Sequence, residues 1–133
     1  MNLAQYAKSY QAIAVTTASP GNLVLLMFDG ALRFLSMATF GFECEDISKR
    51  NEVIHNNLIK TQNILRELQC SLDMKLGGEF STRMFALYDY MIEELRKANM
   101  AKDKAPIEIV TRLLGEIRDA WAQMLQQSQS EAA

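Results

Sequence analysis

Proline, cysteine, histidine and tryptophan are scarce in this 133-residue chain: two, two, one and one. Each scarcity excludes something. With prolines only at Pro20 and Pro106, long helices run without an interior breaker. Cys44 and Cys70 are far apart and outside any Cys-x-x-Cys pattern, which favours two free thiols in a reducing compartment over a disulfide. Glu52-x-x-His55 has the spacing used by carboxylate-bridged di-iron bundles, but such a centre needs that pair twice. One histidine cannot supply it, so His55 reads as a structural or surface residue and no metal is expected. Ser-His-Asp and Cys-His arrangements fail for the same reason, and no glycine-rich loop follows a strand to cradle phosphate. No enzymatic activity and no cofactor are expected.

Charge of one sign is also missing. The net charge is −2 with both signs interspersed, so no basic stripe offers a footprint for nucleic acid. The longest apolar run of the first helix, Leu23 to Phe28, is soon followed by Asp29 and Arg33, too short for stable membrane insertion. No basic segment followed by an apolar run opens the chain as a signal peptide would, and a cytoplasmic location is expected. Period-two alternation is absent, which excludes half-buried strands.

What is present is apolar side chain at helical spacing, 49% of all residues, enough for one domain spanning 1–133 with a single core. Ser19 is a good N-cap and Pro20 fits the first helical position, so a helix starts there that is apolar on nearly every side. A second stripe, Ile54, Leu58, Thr61, Leu65, Leu68 and Leu72, steps by four and three and should stop at Gly77-Gly78. A third carries Phe80, Met84, Leu87, Met91, Leu95 and Ala98 as far as the breaker stretch Lys102–Pro106. The fourth, Ile107, Val110, Leu114, Ile117, Trp121 and Met124, keeps heptad spacing throughout. Glu93 and Glu94, followed by Arg96 and Lys97, read as a solvated face rather than paired catalytic carboxylates. The fold expected is all-α, an antiparallel four-helix bundle with a short mobile N-terminal helical segment. Residues 126–133 have no apolar face and are expected to form a flexible tail.

Apolar positions outnumber those the four stripes require. Val53, Ile64, Tyr88 and Ile92 lie beside them, and the first helix adds more. Either neighbouring helices cover this surplus or it forms a groove for a partner helix. Residues 1–18, with Leu3, Tyr6, Tyr10, Ile13 and Val15, are too short for a stable helix alone and read as a cap over such a groove. The eight methionines fill a core by default, but their flexible thioethers also suit a surface that accepts a partner helix.

Several ordered motifs carry a family resemblance. Tyr10-Gln11, Thr17-Ala18-Ser19-Pro20 and Met27-Phe28-Asp29-Gly30 are followed by Leu72-Asp73 with Gly77-Gly78-Glu79. Leu87-Tyr88-Asp89-Tyr90-Met91, Leu95 with Ala98-Asn99, and Asp119-Ala120-Trp121 complete the set. Each is weak alone, but their order and spacing over Tyr6 to Trp121 resemble the FliS flagellar export chaperones. The first connection, Phe40-Gly41-Phe42-Glu43-Cys44, departs from the polar loop expected of that family. The resemblance implies a cytoplasmic, ATP-independent chaperone that binds the disordered C-terminal segment of flagellin. It would prevent premature polymerisation and present its load to the export gate. The family's N-terminal segment can cover part of the binding surface, and Tyr10 with Thr17–Pro20 match that element. The expected partner-binding set is Tyr6, Tyr10, Ile13, Val15, Leu26, Val53, Asn57, Ile64, Tyr88 and Ile92. The alternative is a generic helical adaptor, or a self-associating bundle whose surplus forms a weak homodimer.

Overall fold

The computed structural model describes residues 19–132, which form four helices and, among the described residues, no strand. Helix α1 spans Pro20–Gly41. Ser19 caps it as the sequence implies, its Oγ accepting the Asn22 N–H at 3.2 Å with Pro20 entering the first turn. Asp46 performs the same task for α2, Ile47–Cys70, accepting from Ser48 and Lys49 at 2.9 and 3.3 Å. Between them the aromatic connection is tied down by Phe42, whose ring lies under the Arg50 guanidinium, 5.1 Å from the ring centroid.

Helix α2 ends earlier than its apolar stripe suggests, at Cys70 rather than at the glycine pair. Local side chains compete with the helix here. Ser71 Oγ donates back to the Leu68 carbonyl at 2.7 Å. Asp73 Oδ1 accepts the N–H groups of Lys75 and Leu76 at 3.0 and 2.9 Å, and its carbonyl accepts that of Gly77. The two glycines serve different needs. Gly78 has φ +54, the left-handed region that side chains with a Cβ resist. Gly77 has an ordinary φ, but a Cβ there would lie 1.7 Å from Ser81 Oγ and 2.7 Å from the Asp73 carbonyl oxygen.

Helix α3 spans Gly78–Ala101 and closes on Lys102, itself left-handed, whose N–H reaches the Ala98 carbonyl. Helix α4, Ala105–Ala132, carries Pro106 in its first turn. It does not end near Leu125. The stretch expected to be a loose tail continues as helix to Ala132, with Gln126–Ser130 exposed. Gln, Glu and Ala are good helix formers, and propagating a formed helix costs far less than nucleating one.

The helices pack in a ring, α1 on α2, α2 on α3, α3 on α4 and α4 back on α1. Cross-helix contacts show the antiparallel sense. Gln62 meets Ile92 and Gln69 meets Phe85, rising on one helix as they fall on the other, and Trp121 near the end of α4 meets Gly21 at the start of α1. The core is the four stripes brought together: Phe28, Leu35, Ile54, Leu58, Leu65, Leu68, Met91, Leu95, Ile107, Val110 and Leu114 are almost wholly buried. By length and composition alone α1 is apolar enough to cross a membrane. In the bundle its Phe28, Ala31, Leu35 and Ala38 lie in that core instead.

Candidate partner-binding surface

The residues singled out from the sequence scatter across environments. Tyr6, Tyr10, Ile13 and Val15 lie outside the described residues. Leu26 is half-exposed on α1, and Val53 and Ile92 are half-buried, Val53 against Gly41 and Ile92 against the core. Asn57, Ile64 and Tyr88 are buried in the free chain. Ile64 faces α1 where Gly30 has no side chain, its Cδ1 3.7 Å from where a Cβ would stand. Asn57 turns its Nδ2 back to the Val53 carbonyl at 2.8 Å, while its Oδ1 is buried without a partner.

Tyr88 carries a measurable sign of that burial. Desolvation of the phenolate pushes its pKa up from about 10 to about 12. The unfolded chain therefore loses this proton first, so Tyr88 favours the fold fully below pH 10 and progressively less between about 10 and 12. Urea unfolding should show stability falling by roughly 1 kcal/mol from pH 10 to 11, a slope that Tyr88→Phe removes. An unchanged slope in that variant would contradict the assignment.

The other recognition motifs prove to be joints. Phe28 packs edge-on to Trp121 with centroids 6.3 Å apart, and Asp29 accepts from Arg118 Nε at 2.8 Å. Trp121 Nε1 donates to the Gly21 carbonyl at 2.9 Å, pinning the end of α4 to the first turn of α1. Across α2 and α3, Asp89 accepts from Gln69 Nε2 at 2.8 Å and from Arg66 at 3.3 Å. Gln69 Nε2 also reaches the Phe85 carbonyl, Gln62 the Ile92 carbonyl at 3.1 Å, and Asn99 the His55 ring at 2.9 Å. His55 is thus an exposed structural residue, and among the described residues no group of three or more His, Cys, Asp or Glu could hold a metal. Glu93 and Glu94 pair with Arg96 and Lys97 at 2.6 and 3.2 Å.

Apolar side chains stay exposed on all four helices, and those of α3 and α4 include a set at helical spacing. On α3, Phe80 is 58% exposed, and Met84 and Leu87 are half-buried. On α4, Ile109 and Met124 are 40% and 44% exposed, with Leu113 and Ile117 half-buried between them. Antiparallel packing from the turn at Lys102–Lys104 sets positions about equally far from it side by side, Leu87 near Ile117 and Phe80 near Met124. The sequence assigned Phe80, Met84, Leu87, Ile117 and Met124 to core stripes; Met84, Leu87 and Ile117 do pack against the core while keeping an open side, whereas Phe80 and Met124 are exposed. For Phe80 and Met124, their place at the ends of the stripes was the available signal. Leu76, 89% exposed on the turn before α3, and Phe40, 71% exposed at the end of α1, are further apolar positions left in solvent.

Comparison with known proteins places this arrangement. The family model described as flagellar protein FliS matches residues 2–128. The flagellar secretion chaperone FliS of Bacillus subtilis is 37% identical over 123 residues, covering 92% of this chain and 88% of that one. That of Salmonella typhimurium is 39% identical over 120 residues, covering 90% and 86%. The flagellar secretion chaperone FliSB of Pseudomonas aeruginosa is 32% identical over 118 residues, covering 86% and 90%. With a compact helical bundle, an apolar strip left open on it and likeness over nearly its whole length, the chain belongs to the FliS family of flagellar secretion chaperones.

Proposed function

We propose that this chaperone binds the C-terminal region of flagellin, disordered before assembly, by taking the apolar faces of its nascent helices onto the α3–α4 strip. The contacts replace those the segment would make within a filament. Held this way, flagellin neither polymerises prematurely nor aggregates, and the loaded complex is the form the export gate receives in the bacterial cytosol. The observation that carries this reading is the run of half-exposed apolar side chains from Phe80 to Leu87 and from Ile109 to Met124, at helical spacing on adjacent helices. Amphipathic helices dock on such surfaces through anchors spaced by three, four and seven. Met124, exposed within the strip, suits a partner whose shape varies.

Coupled folding sets the expected thermodynamics. Ordering the segment costs on the order of 2 to 5 kcal/mol, set against burial of roughly 1,000 to 3,000 Å². Calorimetric titration with a peptide covering the last helical turns of the organism's own flagellin should give a saturable one-to-one isotherm with a large negative heat-capacity change. Absence of heat at several temperatures, with the bundle folded, refutes the reading. Dimers that persist with the peptide bound would favour the self-associating alternative.

A further inference from the structure

We infer that the bundle is built as two latched helix pairs that part along the α3–α4 seam and hinge at α1–α2. The four ring contacts are not equivalent. The α2–α3 seam is latched along its length by His55–Asn99, Gln62 to the Ile92 carbonyl, and Gln69 to the Phe85 carbonyl and Asp89. The α4–α1 seam is latched by Trp121 to the Gly21 carbonyl and by Arg118 to Asp29. Among the described residues no hydrogen bond or ion pair crosses α3–α4, and its packing is the sparsest of the four. Opposite it lies the densest contact, α1 on α2, where α1 presents Gly30, Ala38 and Gly41 and the backbones approach closely. A Cβ on Gly41 would stand 3.0 Å from Val53 Cγ1 and 3.1 Å from Ile54 Cγ1. Over the same contact Lys60 covers the Phe34 ring at 5.4 Å.

Separating α2–α3 or α4–α1 would strip hydrogen bonds from partly buried groups, a loss that water repays only in part. Separating α3 from α4 strips none. Sub-global opening follows the cheapest surface, so α2 with α3 and α4 with α1 move as units. Met91 and Ala98 stand one position before Ile92 and Asn99, which face α2; rotated by about 100° and wholly buried, they turn toward α4. Opening exposes them first, Met91 more than Ala98, which sits close to the turn at Lys102. This opening is a property of the free protein and stands whether or not flagellin is the partner.

Thiol labelling under native conditions tests it. Met91→Cys, Ala98→Cys and Ile64→Cys are each made in a Cys44→Ser, Cys70→Ser background, and each variant's global unfolding equilibrium is measured by urea. Met91→Cys should label at least about tenfold faster than its own unfolding equilibrium allows, and Ala98→Cys also faster, by a smaller factor. Ile64→Cys, on the hinge side, should label only at the rate its global unfolding sets. Because each variant is compared with itself, lost stability does not mimic the effect. The inference is overturned if neither α3 variant exceeds its own global rate, or if Ile64→Cys exceeds its rate as much as they do.

Discussion

Phe80→Asp combined with Met124→Asp is expected to weaken binding of a flagellin C-terminal peptide by roughly a hundredfold or more while leaving the fold intact. Both side chains are already about half in solvent, so charging them removes little folding energy. A bound helix would bury them. Each aspartate then loses its hydration, and the apolar anchor it replaced is gone as well. Two lost apolar anchors at about 1.4 kcal/mol each, a factor of ten apiece, already give a hundredfold. Calorimetric titration checks the affinity and thermal unfolding checks the fold. Wild-type affinity with an unchanged melting point would move the binding surface away from α3–α4.

Phe28→Ala is expected to do the reverse, damaging stability first. Phe28 is 1% exposed and packs edge-on to Trp121, which in turn holds Gly21. Truncation loses the transfer energy of a ring and leaves a cavity that rigid helices cannot close, about 3 to 5 kcal/mol. For a domain whose whole stability is of order 5 to 15 kcal/mol that is a large share, and a fall in melting temperature of roughly 10 to 20 °C should accompany it. Chemical denaturation gives the energy directly; a cost under 1 kcal/mol would show that the site collapses around the deletion.

The stripes were legible because helical periodicity is local. Leu58, Leu65, Met91, Leu95, Val110 and Leu114 follow from spacing alone, as does the cap at Ser19. Burial at the margins is not local. Ile64 and Tyr88 looked surplus because one helix cannot show that Gly30 opposite leaves room for an isoleucine, or that the bundle closes over a tyrosine. Phe80 and Met124 looked like core because their register is right, whereas the core has run out at that level of the bundle. The end of α2 at Cys70 depended on Ser71 and Asp73 satisfying backbone groups, a choice that apolar patterning does not record. Asp29, Asp89 and Asn99 were recognisable as motif members, but their partners Arg118, Gln69 and His55 come from other helices.

The polar seam between α2 and α3 also works as a ruler with an ambiguity. Its donors and acceptors recur every seven residues, at 55, 62 and 69 on one helix and 99, 92 and 85 on the other. A periodic scale fixes alignment only up to one whole division: sliding α3 by seven residues would still set Gln62 beside Phe85 and His55 beside Ile92. The connection from Ser71 to Gly77, too short and too tightly bonded through Asp73 to allow that slide, supplies the zero mark. Bundles of this kind can therefore tolerate change along the graduations far better than an insertion at the origin.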